Sequence, residues 1–199
     1  PSAFEISPDG ERIAFVVKRA NPQANAYCLR LVVTAMDGSE TETEIDRGGE
    51  FIRDDFPLRD FPAIMGGWDR PNAPRWSPDG TRIGYLKRID GSTQVWIADP
   101  AGGNPTHRAT AMPDDVDRFA WTADGNGLIV QTRPGIRQQA EAIAQEAPRG
   151  FLFDDRFSPQ FADRPIPTGE IVPEYAFVAL GDGSVRPATA SEAELLVAH

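Results

Sequence analysis

Ser7-Pro8-Asp9-Gly10 returns as Ser77-Pro78-Asp79-Gly80 and, more weakly, as Thr122-Ala123-Asp124-Gly125. The copies lie 70 and 45 positions apart, and their surroundings repeat with them. Ile6, Trp76 and Trp121 stand immediately before the three tetrapeptides, while Ile13-Ala14-Phe15, Ile83-Gly84-Tyr85 and Leu128-Ile129-Val130 follow at one fixed offset. A tetrapeptide that carries matched apolar flanks marks a structural repeat rather than a coincidence of composition. Its chemistry is that of a hairpin turn: Pro sets φ near about −65°, Asp tolerates the second corner, and Gly takes the positive φ that closes the turn.

Each copy therefore joins two strands. Arg12 to Val17 and Arg82 to Leu86 are rich in β-branched and aromatic residues, as strands packed on both faces require. A third strand follows in each unit, at Leu29 to Ala35, Gln94 to Ala98 and Tyr175 to Leu180, and a fourth, polar one at Thr41 to Ile45, Thr106 to Thr110 and Ser184 to Ala188. Four antiparallel strands at a basic period near 45 residues is the pattern of a propeller blade. The expectation is an all-β chain forming a partial β-propeller of about three blades, at about residues 3–47, 73–111 and 117–190. Three blades fall short of closure, so the chain reads as part of a longer protein.

The offsets between units also locate the insertions. About 36 extra residues enter the third unit between its second and third strands, within about 134–173, and about 19 follow the first unit's fourth strand, within about 48–72. In an antiparallel blade both of these connections leave by the rim opposite the Ser-Pro-Asp-Gly turns, so all added chain is expected on one edge. Within the larger insertion Ile136, Ala140, Ile143, Ala144 and Ala147 recur at helical spacing between Pro134-Gly135 and Pro148, which predicts one short helix.

Composition narrows the function. Thirty acidic against twenty basic residues leave a net charge of −10, a surface that repels phosphate backbones and anionic lipid, so no nucleic-acid partner is expected. No apolar run approaches the roughly 20 residues of a membrane-spanning helix, and no membrane insertion is expected. Cys28 cannot form an internal disulfide, and His107 and His199 are too far apart for a local zinc site; no metal or other cofactor is expected. Trp76 and Trp121 share one blade position and read as core. Asp114, Asp115 and Asp117 fail the calcium-loop spacing and read as a solvated interblade loop, while Asp54, Asp55, Asp60 and Asp69, interleaved with Arg53, Arg59, Phe51, Phe56 and Phe61, read as charge pairing around an apolar anchor in the 48–72 insertion.

No Gly-x-Ser-x-Gly elbow occurs, so no catalytic residue is assigned. The candidate substrate-binding residues are Asp154, Asp155, Arg156 and Phe157, in a stretch where aromatics alternate with carboxylates and a guanidinium. Such a mixture binds a peptide by stacking and charge; equally, it anchors a long loop through its Phe residues and an internal Asp-Arg bridge.

The blade signature Trp76 to Tyr85 resembles the WD40-like propeller repeats of TolB-like proteins and of prolyl oligopeptidase family serine peptidases. Arg19 to Leu29, Gly48-Gly49-Glu50 and Gly150-Phe151-Leu152-Phe153-Asp154-Asp155-Arg156-Phe157-Ser158-Pro159 resemble, more selectively, the amino-terminal propeller of lasso peptide isopeptidases. That resemblance implies a carboxy-terminal α/β-hydrolase domain, absent from this segment, whose Ser-Asp-His triad cuts the isopeptide bond of a lasso peptide. It implies that the propeller admits and orients the peptide, that this segment alone is inactive, and that the protein works in a bacterial periplasm or cytoplasm, the periplasm favoured. The alternative is a non-catalytic, TolB-like propeller acting as a protein-interaction platform.

Overall fold

The three turns close through one repeated set of hydrogen bonds. In the second copy the Ser77 carbonyl accepts from the Gly80 N–H at 2.8 Å, with Gly80 at φ 69°. The Ser77 hydroxyl donates to Asp79 Oδ1 at 2.6 Å and accepts from the Arg82 N–H at 2.9 Å, and the same carboxylate oxygen accepts from the Thr81 N–H at 3.1 Å. Ser7 with Asp9 and Thr122 with Asp124 make the equivalent bonds. A hydroxyl at the first position and a carboxylate at the third thus act as one unit, which is why Thr122 can stand where the other copies have Ser. Hydrogen bonds from Ser77, and then from Thr81, push the Asp79 carboxyl down to about 2.

The computed structural model describes residues 3–23, 26–39, 41–58, 61–152, 157–158, 165–167 and 170–196. The first sheet runs β1 (Phe4–Ile6), β2 (Arg12–Asn21), β3 (Ala26–Ala35) and β4 (Thr43–Arg47), each strand antiparallel to the next. The chain then forms a separate two-stranded hairpin, β5 (Arg53–Leu58) and β6 (Phe61–Asp69). A second four-stranded meander follows as β7 (Arg75–Trp76), β8 (Ile83–Ile89), β9 (Ser92–Ala98) and β10 (His107–Arg108). The third begins with β11 (Val116–Trp121) and β12 (Gly127–Thr132). It is interrupted by α1 (Pro134–Glu146) and the short pair β13 (Phe157–Ser158) and β14 (Ile166–Pro167), and finishes with β15 (Glu174–Ala179) and β16 (Val185–Pro187). The fold is the expected partial propeller of four-stranded blades with a helix in an insertion.

Three local expectations need correction. The third strand of the first sheet starts at Ala26 rather than Leu29, because β2 and β3 keep pairing outward to Asn21↔Ala26. The 48–72 insertion is largely a hairpin, with Phe56 stacked on Trp68 at 5.2 Å between ring centroids. A further short helix, α2 (Ala190–Ala193), follows the last strand; Thr189 and Glu192 form a reciprocal capping box at its start, which fixes so short a helix.

The sheets stack face to face through a repeated lock. Trp76 Nε1 donates to the Glu5 carbonyl at 3.2 Å, and Trp121 Nε1 to the Arg75 carbonyl at 3.0 Å, so each tryptophan is tied to the inner strand of the preceding sheet. In return Arg12 lies 4.8 Å from the Trp76 ring centroid and Arg82 lies 5.1 Å from that of Trp121. These arginines also donate to the turn carbonyls of the next sheet, Gly80 at 3.4 Å and Gly125 at 2.7 Å. The expected core role of both tryptophans is therefore combined with a polar clasp.

Ala14, Leu31, Val33, Trp76, Ile83 and Tyr85 fill the first interface, and Val95, Val116, Phe119, Leu128 and Val130 the second. Gly84 is required in the second: a Cβ there would stand 2.7 Å from the Phe119 ring. Beyond the third sheet the lock stops, since Gly127 occupies the position of Arg12 and Arg82. A 3-10 turn, Glu194–Leu196, covers that face instead and buries Leu196 against Ala120 and Ile129. No helix among the described residues is long and apolar enough to cross a membrane.

Candidate functional site

The hairpin turns and the insertions occupy opposite edges of the stack. Gly80 packs by Pro8, and Gly125 by Pro78, so the tight turns lie side by side along one rim. At the other rim, the chain leaving β4 crosses to the second sheet, where the Glu50 N–H donates to the Arg88 carbonyl at 2.7 Å. The β5–β6 hairpin rises from there, and β14, from the insertion in the third sheet, lies beside β6.

The chain leaving β4 and the β5–β6 hairpin, together with the start of β11 and α1, line an open cavity of about 1030 Å³. One wall is residues 49–53, Asp55, Met65 and Gly67; the opposite wall is residues 113–117 and Arg133, with Ile136, Arg137 and Ala140 of α1. Tyr27, from the β2–β3 end of the first sheet, joins the rim and stacks on Phe51 at 5.0 Å between centroids. Tyr27, Met65 and Ile136 are exposed, so apolar surface faces an otherwise charged cavity.

Four largely buried charges form its floor. Arg70, which follows β6, donates to Asp117 Oδ1 at 2.8 Å and to Asp55 Oδ1 at 2.9 Å, and its Nε lies 3.4 Å from Asp54. Arg133, at the start of α1, reaches Asp55 at 2.7 Å and grips Asp117 through two nitrogens at 2.6 and 2.9 Å. Burial alone would raise the Asp117 carboxyl, but the hydrogen bonds from Arg133 and Arg70 outweigh it and hold the group below the ordinary carboxylate range. Burial likewise opposes the charge on both arginines and is overcome by their carboxylate partners, so both are raised. Two guanidiniums facing two carboxylates neutralise one another and fasten the inserted hairpin, the inner strand of the third sheet and the root of α1 into one unit.

The acidic run at 114–117 is consequently not a solvated loop. Asp114 pairs with Arg137 at 2.6 Å, and Asp115 accepts from the Thr93 N–H at 2.8 Å and pairs with Arg88 at 2.6 Å. Asp117 lies in the buried floor. In the 48–72 segment Asp54 and Asp55 are paired, but through Arg70 rather than the interleaved Arg53, and Asp69 is paired with Lys18 of β2; Arg59 and Asp60 lie outside the described residues. Among the described residues no group of three or more His, Cys, Asp or Glu is placed to hold a metal ion.

Of the residues singled out for substrate binding, Asp154, Asp155 and Arg156 lie outside the described residues. Phe157 opens β13, where its backbone pairs with Pro167. What the sequence reading missed is the Asp55–Arg70–Asp117–Arg133 floor. The available signal was position: Arg133 is the first residue after β12, and Arg70 closes the other insertion, so both stand where inserted chain meets the stack.

No family model matches the chain. In sequence it is 34% identical over 195 residues to the lasso peptide isopeptidase AtxE2 of Asticcacaulis excentricus, covering 95% of this chain and 27% of that protein. It is 25% identical over 126 residues to dipeptidyl-peptidase 5 of Porphyromonas endodontalis, over 63% of this chain and 15% of that one. The chain thus spans about a quarter or less of these peptidases. Two structures of AtxE2, one without ligand and one of a variant with Astexin3-dC4 bound, each superpose with a TM-score of 0.91 at 32% identity over 98% of this chain and 30% of theirs. TolB from Acinetobacter baumannii, at a TM-score of 0.50 and 15% identity over 94% of this chain and 32% of its own, shares the fold alone. In sequence and in structure, over nearly all of its length, the chain matches a segment of the lasso peptide isopeptidase AtxE2.

Proposed function

We propose that this chain is the propeller portion of a serine peptidase that hydrolyses the isopeptide bond of a lasso peptide, and that its inserted rim admits and orients the substrate. The observation that carries the reading is the match to AtxE2, 34% identical over 95% of this chain, a protein one of whose structures holds Astexin3-dC4. The cavity is consistent with such a role. At about 1030 Å³ it lies at the upper end of ordinary ligand sites, on the edge of a rigid scaffold from which all the long connections project.

In this reading the chemistry is divided. Acyl transfer needs a nucleophile, a base and oxyanion donors, which a hydrolase domain elsewhere in the protein supplies, so this segment by itself is inactive. The propeller's contribution is binding: apolar contacts and paired charges hold the folded peptide so that its isopeptide bond faces the nucleophile.

The test is incubation of the full-length protein with threaded Astexin3-dC4, followed by mass spectrometry. Gain of one water, with loss of the ring, is the expected result. An unchanged peptide together with cleavage of unthreaded linear peptides would replace this reading with that of a general peptidase. Binding without cleavage, retained after complete removal of the hydrolase region, would favour the interaction platform.

A further inference from the structure

The charges lining the cavity are not equivalent. Arg70 and Arg133 are consumed by the floor, Arg137 by Asp114, and Arg88 by Asp115 and Glu50. Every carboxylate in the lining is engaged by one of those four arginines. Arg53 is the exception: it is exposed, lines the cavity and forms no ion pair among the described residues. Its cross-strand partner Asp69 is already occupied by Lys18. Beside it the same wall carries the stacked Tyr27–Phe51 pair and exposed Met65.

We propose that Arg53 is a specificity-determining residue that receives a carboxylate of the bound peptide, with Tyr27, Phe51 and Met65 taking an apolar or aromatic side chain next to that carboxylate. The inference rests on the peptide-binding reading above and adds to it the charge of the ligand. The physical ground is an asymmetry. An incoming cation would meet only carboxylates that already have guanidinium partners, whereas an incoming carboxylate meets a guanidinium that has no ion-pair partner among the described residues. A planar guanidinium binds a carboxylate through two parallel hydrogen bonds, and partial enclosure by the cavity walls strengthens them relative to open water.

The test uses the full-length protein with its nucleophilic serine replaced by alanine, so that bound peptide is not cut, and compares it with the Arg53→Ala and Arg53→Lys variants of that same background, using Astexin3-dC4 and the same peptide after its carboxylates have been converted to amides. Binding is read by calorimetry. Arg53→Ala is expected to weaken binding of the native peptide by about 10-fold, the effect of one charge-assisted pair. It should leave the amidated peptide unaffected, while Arg53→Lys recovers part of the loss. Equal affinities of wild type and Arg53→Ala for the native peptide would overturn the assignment.

A second probe separates this inference from the lasso peptide reading. In side-chain NMR of the arginine Nε–H groups, millimolar N-acetyl-Phe-Asp-amide should shift the Arg53 resonance, and N-acetyl-Phe-Asn-amide should not. If the wild type binds neither lasso form but the aspartyl probe still moves Arg53, the substrate class falls and the carboxylate site stands. If neither the lasso peptide nor the aspartyl probe depends on Arg53, the site falls.

Discussion

The two rims of this stack are built from the ends of the same strands, yet one consists of turns that close on themselves and repeat from sheet to sheet, while the other is held by a single network of long-range charge. Along the turn rim, Ser77 and Asp79 satisfy each other and their own backbone within five residues, and the contribution repeats in all three sheets. Along the inserted rim, Asp117 depends on Arg70, 47 positions away, and the floor unites segments from two insertions and one sheet. A local bond set can be copied from blade to blade. A network assembled from distant segments arises once, which suits a rim that forms a particular cavity.

The sharpest way to break this contrast is Asp117→Ala. It leaves Arg70 and Arg133 sharing Asp55, with Asp54 only at the margin, and removing one partner of a buried ion network costs roughly 3–5 kcal/mol. Urea denaturation should show a loss of that order, accompanied by weaker peptide binding in the full-length protein. A loss below about 1 kcal/mol, the range of an exposed pair, would mean that the floor is ornamental to the fold.

A smaller effect is expected on the opposite rim. Ser77 is fully buried, and Ser77→Ala removes a hydroxyl that both donates to Asp79 and accepts from the Arg82 N–H. The expected cost is about 1–2 kcal/mol, with peptide affinity unchanged. A fall in affinity as large as that of Asp117→Ala would dissolve the distinction between a structural and a binding rim.

Acid titration sharpens the same comparison more gently. The folded Asp117 carboxyl sits below its ordinary value of about 3.9, so its stabilising contribution is complete above that pH and disappears as pH falls toward the lower folded value. Asp117→Asn has no such group to protonate, and its stability should decline less steeply below about pH 4. Parallel curves for wild type and variant would remove Asp117 from the acid response.

The difference between the rims also explains what could be read from the sequence. The turns were legible because their chemistry is local: hydroxyl, proline, carboxylate and glycine stand in a row, and Trp76 and Trp121 follow the same register. Insertion lengths follow from the offsets between repeat units, the helix from Pro134 from the spacing of its apolar residues, and the edge from which it projects from the antiparallel strand order. The acidic run at 114–117 misled because carboxylates close in sequence resemble a solvated loop, while the guanidiniums that bury or pair them come from residues 70, 88, 133 and 137. Arg53 misleads for a related reason: interleaved with the carboxylates of its own insertion it reads as one of their partners, and only the three-dimensional pairing of Asp54 and Asp55 with Arg70, and of Asp69 with Lys18, leaves it without an ion pair among the described residues.

The most direct measurement of the central claim is hydrogen exchange of the full-length protein, its nucleophilic serine replaced by alanine, with and without Astexin3-dC4. Protection should fall on residues 49–55, 113–117 and 133–140, and exchange at the turns 7–10, 77–80 and 122–125 should be unchanged. Protection concentrated at those turns, with none on the inserted rim, would contradict it.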